Sequence, residues 1–193
     1  MTLELTKWFV DPSKSTISFK VDPKIFAAVE GAFRIFDAEI VTTDNDFSKT
    51  KVNLQIDASS ITTGDVERDE HLKSADFFDV ENHKKITFTS RIVTSTSVDG
   101  NYELRGSLTI KGITKEVVVE AQSGEHLKDA NGDDNIAFTI TANVNRKDWG
   151  LLWNESSNAG GLMESEAVHI FCKITLTNNK EFKAIQEVTI QNI

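Results

Sequence analysis

Apolar and polar residues alternate strictly along much of this chain, the mark of strands with one buried face. Ile17, Phe19 and Val21 alternate with Ser18 and Lys20. Phe36, Ala38 and Ile40 keep the same period before the turn-rich Thr42-Thr43-Asp44-Asn45-Asp46, and Val52, Leu54 and Ile56 keep it afterwards. Ile86 and Phe88 open a strand expected to run to about Ser97. Asp99-Gly100 follows between two alternating runs, a strong hairpin signal because a type I′ turn needs positive φ at both central residues. The returning strand reads Tyr102, Leu104, Gly106, Leu108, Ile110, and Lys111-Gly112 turns the chain again into Val117, Val119, Ala121. Beyond the polar stretch 128–135 come Ile136, Phe138, Ile140, Ala142 and Val144, and finally Val168, Ile170, Cys172, Ile174 and Leu176. Eight or nine strands joined by short turns predict an antiparallel meander, since parallel neighbours need long crossover segments that this chain lacks.

Residues 65–73 break the period with helix-forming side chains after the capping candidates Thr62 and Thr63, and Ser74-Ala75-Asp76-Phe77-Phe78 suits a further turn. The expected architecture is therefore all-β, an antiparallel barrel of about eight strands with a short helical insert. Closure removes the exposed edges an open sheet would leave. An eight-stranded barrel has room for packed side chains or for one small ligand, and the alternation reads the same in both cases. The tail, residues 181–193, holds Phe182, Ile185, Val188 and Ile190, too apolar for a free end. It suits an added strand or a homodimer contact.

Composition agrees with this picture. Val, Ile and Thr supply 51 of 193 residues, and only Pro12 and Pro23 interrupt strand formation. The length suits a single domain spanning 1–193, with no internal repeat or linker. A net charge of -9 without a Lys/Arg cluster argues against nucleic acid as partner. No apolar run approaches the roughly 18 residues of a spanning helix, so an integral membrane protein is not expected. Cys172 is the only cysteine, which leaves no intrachain disulfide. The first residues show no charged segment leading into an apolar one, and a cytoplasmic protein is expected.

Few residues suggest chemistry. Arg68-Asp69-Glu70-His71 gathers a base, an acid and a cation in one turn, but adjacent helical residues point in different directions, which favours a capping and ion-pair network. His71, His83, His126 and His169 lack the spacing of a metal site. Asp129-Ala130-Asn131-Gly132-Asp133 fails as a calcium loop, with Gly at the fourth position and Ile140 at the twelfth. Phosphate loops, dinucleotide fingerprints and nucleophile elbows are absent from the sequence. No catalytic residue, metal or cofactor is expected, and the protein reads as a non-enzyme.

Several motifs in order are more specific: Trp8-Phe9-Val10-Asp11-Pro12, Val29-Glu30-Gly31-Ala32-Phe33, Arg68-Asp69-Glu70-His71-Leu72, Asp76-Phe77-Phe78-Asp79-Val80, Leu104-Arg105-Gly106-Ser107-Leu108 and Arg146-Lys147-Asp148-Trp149-Gly150-Leu151. Across about residues 8–177 the chain resembles the YceI-like polyisoprenoid-binding family, leaving 178–193 as a C-terminal extension. The resemblance implies a lipocalin-like barrel whose apolar cavity holds an isoprenoid or fatty amphiphile, such as a prenylquinone or polyprenyl phosphate, for storage, sequestration or transfer. It makes the alternating positions Phe19, Phe36, Ile40, Leu54, Ile56, Phe88, Leu108, Ile110, Phe138, Ile140 and Ile170 candidate cavity lining. Arg68, His71 and Arg146 become candidate head-group contacts, with a structural role as the competing reading. Trp149 and Trp153 read as packing anchors at the barrel end. Two departures bear on the head group: family members often carry histidine where this chain has Lys14 and Pro23. The competing functions are an interaction module with a filled core, and an enzyme acting on a lipid or quinone through Arg68, Asp69 and His71.

Overall fold

The computed structural model describes residues 5–22, 28–43, 46–96, 100–152 and 165–178. In chain order the strands are β1 (Leu5–Val10), β2 (Thr16–Val21), β3 (Val29–Phe33), β4 (Phe36–Thr43), β5 (Asp46–Asp57), β6 (Ile61–Thr62), β7 (Lys85–Ser95), β8 (Asn101–Ile110), β9 (Ile113–Lys128), β10 (Asp134–Asn145) and β11 (Ala167–Thr177). A helix, α1 (Val66–Lys73), lies between β6 and β7, and 3₁₀ turns cover Ala58–Ser60 and Arg146–Trp149. The strands form one antiparallel sheet, and β1 returns to β11 through Phe9↔Thr177 and Val10↔Leu176, closing it.

Among the described residues the eleven strands make eight staves, because three staves are broken once each. β1 and β2 both pair with β11, yet five residues separate Val10 from Thr16 where two separate Leu176 from Lys173. This bulge is tied down locally: the Asp11 N–H donates to Thr175 O at 2.9 Å, and Ser15 Oγ accepts from Thr175 N at 2.9 Å. β3 and β4 form the second stave, broken at residues 34–35, and β5 and β6 the third, broken at the Ala58–Ser60 turn. Ser60 Oγ accepts from the N–H groups of Arg34 and Ile35, so these two breaks lie side by side. The described residues thus form the expected all-β barrel of eight staves with a short helical insert.

Local chemistry explains the connections. Lys111 and Gly112 take φ of 48° and 73°, the positive pair of a type I′ turn, and Ile110 pairs with Ile113 directly across it. Gly100 also has positive φ, at 78°, while Asp99 lies outside the described residues. The helix corrects the expected cap: Asp65, rather than Thr62 or Thr63, accepts from Arg68 N at 3.0 Å. Thr63 instead donates its N–H and hydroxyl to Asp69, at 2.7 and 2.6 Å, fastening the loop onto the first turn. β1 and β3, outside the alternating runs, are further strands of the wall. Pro23, Trp153 and residues 179–193, most of the C-terminal extension, lie outside the described residues.

β2, β6, β8 and β10 all run towards the end of the barrel that carries α1, the Lys111-Gly112 turn and the Arg146–Trp149 turn. β1, β5, β8 and β10 start at the opposite end. These two ends frame the interior.

Candidate functional site: an apolar cavity inside the barrel

Inward side chains from every stave surround a cavity of about 260 Å³. A single water needs only about 10–15 Å³ on the same measure, so this is no packing defect. The wall is almost wholly apolar. Ten of the eleven expected lining positions face the cavity; Phe36 is the exception, buried in the packed core without reaching the cavity wall. At the opposite end Phe47 packs on Trp8, Tyr102 and Phe138, with ring centroids 5.4, 6.4 and 5.2 Å apart. At the helix end Leu72 from α1, Phe77 and Phe78 from the following turns, and Trp149 and Leu151 contribute to the wall. Trp149 is 1% exposed and its indole N–H donates to Leu108 O at 3.2 Å, which anchors its turn on β8.

Of the three candidate head-group residues, the structure brings only Arg146 to the cavity. Its guanidinium is buried and donates to Leu151 O at 2.6 Å and to Ser165 O at 3.2 Å. Burial lowers its pKa from the ordinary value, partly offset by the charge of Glu166. Arg68 turns to the helix-capping loop instead, its Nε donating to Thr63 Oγ1 at 2.8 Å. His71 Nε2 stands 3.9 Å from Asp76 Oδ2, away from the cavity wall. Lys14 is exposed and pairs with Asp11 at 3.2 Å. His169, out of phase with Val168 and Ile170, meets Asn143 and Asp22 while those two neighbours line the cavity. Cys172 lines the cavity as well, and burial pushes its thiol up to about 12, so it stays protonated at neutral pH.

The profile of the YceI-like domain matches residues 8–176. The chain belongs to the YceI-like domain family. YceI-like relatives include a UPF0312 protein of Staphylococcus epidermidis, 31% identical over 97% of this chain and 100% of its own length. A UPF0312 protein of Staphylococcus aureus is 34% identical over 82% of this chain and 90% of its own. Among solved structures, BcnA of Burkholderia cenocepacia superposes with a TM-score of 0.72 at 22% identity, covering 86% of this chain and 98% of that one. A polyisoprenoid binding domain from Saccharophagus degradans gives 0.62 at 15% identity, covering 88% and 97%. These structures share the YceI-like fold.

Sequence reasoning missed part of this YceI-like cavity. Phe33, Phe47, Val93 and Leu104 carried the right residue type on strands, whereas Phe77, Phe78, Trp149 and Leu151 come from turns that have no period to read. Thr50 also lines the wall, and its polar side chain hid it among the outward positions.

Proposed function

We propose that this protein binds a long-chain isoprenoid or a similar amphiphilic lipid in the barrel cavity, without transforming it, and acts in storage, sequestration or transfer. The observation that carries this reading is the cavity: an interior at ordinary protein density leaves no such void. Each ligand CH₂ moved from water into such a wall contributes about 0.8 kcal/mol, so a long apolar chain is held without a charged partner. A prenylquinone and a polyprenyl phosphate are the two ligand types this reading covers. The description of the Saccharophagus degradans neighbour as polyisoprenoid binding supports the reading. A non-enzymatic role is supported by the side chains themselves. Arg68 and Asp69 are engaged with Thr63 in the capping loop, and the Cys172 thiol is held neutral.

The test is organic extraction of natively purified protein, mass spectrometry of the extract, and titration of the emptied protein with a tetraprenyl benzoquinone. A stoichiometric isoprenoid or fatty chain is the expected result. An empty extract with no uptake of added quinone would overturn the proposal and favour the interaction module.

A further inference from the structure

The cavity wall is almost wholly apolar, so a polar head drawn inside would give up its water without gaining partners. The head of a bound amphiphile therefore belongs outside the wall, and the chain needs a way through it.

The wall has a seam where β3 meets β6. Among the described residues, β6 pairs with β3 only through Ala32↔Thr62 and Phe33↔Ile61, so Val29, Glu30 and Gly31 pair with β2 alone. Beyond Thr62 the chain leaves the sheet for α1. Gly31 is the cross-strand partner of Phe19 and brings no side chain to the seam. The Phe19 ring takes that place: a Cβ on Gly31 would lie 2.4 Å from its Cζ and 2.9 Å from Thr62 O. Apolar contact alone holds this half-buried ring, including the Phe33 ring at 5.9 Å between centroids.

On the outer side of the same seam runs a groove lined by Ser18, Lys20, Glu30, Ala32, Thr62 and Phe171, with Phe19 and Gly31 at its floor. Phe19 thus borders both the groove and the cavity. The Phe171 ring is half exposed, and Lys20 Nζ stands 3.9 Å from Glu30 Oε1, farther than a direct hydrogen bond. A polar head in this groove keeps its contact with water and meets both charges, while the start of its chain lies against aromatic surface.

Resting on the lipid-binding reading, we infer that the lipid crosses the side of the barrel at this seam: the Phe19 ring swings aside to pass the chain, and the polar head stays in the outer groove. Rotating one half-buried side chain breaks no hydrogen bond of the sheet. Entry at the helix end would instead displace Leu72, Phe77, Phe78, Trp149 and Leu151, all buried in the core. Entry at the opposite end would part the interlocked rings around Phe47.

Stopped-flow quenching of tryptophan fluorescence by a tetraprenyl benzoquinone gives association and dissociation rates. The variants are Phe19→Ala, Phe19→Leu and Ala32→Phe. The controls are Leu108→Ala, which removes cavity lining on the far side of the barrel, and Val118→Phe on the exposed outer face of β9. A binding step that waits on a conformational change is slowed, so Phe19→Ala should raise both rates, association by roughly threefold to tenfold. Leu108→Ala should raise dissociation alone. Ala32→Phe fills the groove from outside and should slow association at least about threefold, whereas Val118→Phe should change neither rate. Phe19→Leu keeps most of the lining and should fall between wild type and Phe19→Ala, which keeps the gate testable if the alanine variant does not fold. Association unchanged in both Phe19 variants, or unchanged in Ala32→Phe, overturns the side passage and leaves the lipid-binding reading standing. A wild-type protein that takes up no quinone overturns both.

Discussion

Two glycines in the barrel wall stand where a methyl group has little room. A Cβ at Gly106 would lie 2.4 Å from the carbonyl oxygen of Thr89 and 2.7 Å from the Phe88 ring. A Cβ at Gly31 would lie 2.4 Å from the ring of Phe19 and 2.9 Å from Thr62 O. The positions differ in what yields. Thr89 is held in the β5–β7 ladder opposite Asn53, whereas Phe19 borders the cavity and its ring has open space beside it. Overpacking in a fixed environment costs about 1–3 kcal/mol, more than the few tenths to 1 kcal/mol that a Gly→Ala change recovers from the unfolded chain. Gly106→Ala is therefore expected to destabilise the protein more than Gly31→Ala. Urea midpoints at unchanged slope measure the order, and a larger loss at Gly31 would contradict the idea that the cavity absorbs the displaced ring.

The same contrast between a fixed neighbour and an accommodating one governs the elements. An eight-residue helix is too short to stand alone in water. α1 is held by Leu72 packed against the core and by polar ties at its start, among them Asp69. Burial works against the Asp69 carboxylate, but hydrogen bonds from the Thr63 side chain and backbone outweigh it and hold the pKa below the ordinary 3.8. A depressed folded-state pKa gives stability that is present above the unfolded value and lost as pH falls through the folded one. Asp69→Asn should cost about 1 kcal/mol at neutral pH, because the amide keeps an acceptor oxygen for Thr63 but loses the charge that strengthens both hydrogen bonds. The gap from wild type should shrink below about pH 3.8, which urea unfolding at pH 7 and pH 3 will show; a gap of equal size at both would count against a charge-dependent tie. This coupling of helix to loop was only half legible beforehand. The charges in Arg68-Asp69-Glu70-His71 were visible, and so were the different directions in which adjacent helical residues point, but not which loop residue they would meet. Strands were readable where alternation ran long, as from Ile136 to Val144. β3 escaped because Gly31 interrupts the apolar face of Val29 and Phe33, and β1 because Trp8, Phe9 and Val10 are all buried. The helix-end lining escaped because Phe77, Phe78, Trp149 and Leu151 sit on turns.

At the scale of the whole molecule, the property that matters most is one that alternation cannot encode. A filled core and a hollow one place the same apolar residues on the same strand faces. Here the closed wall secures the backbone hydrogen bonds around the circumference, and the interior is left unfilled along part of its length. Enlarging an inward residue separates the two cases. In a filled core, Ile140→Trp would force off-rotamer side chains at a cost of about 1–3 kcal/mol or more. In this barrel Ile140 faces the cavity, so the indole is expected to occupy empty space and cover apolar wall. Stability should change by less than about 1 kcal/mol, because lost rotamer freedom and gained apolar contact offset each other. Uptake of the tetraprenyl benzoquinone should fall at least tenfold, since the indole stands where the chain would lie. Val118→Trp, on the exposed outer face of β9, is the matched control and should alter neither quantity. A large stability loss at Ile140 with undiminished uptake would mean that this side chain packs within the wall, and that the ligand follows another path through the barrel.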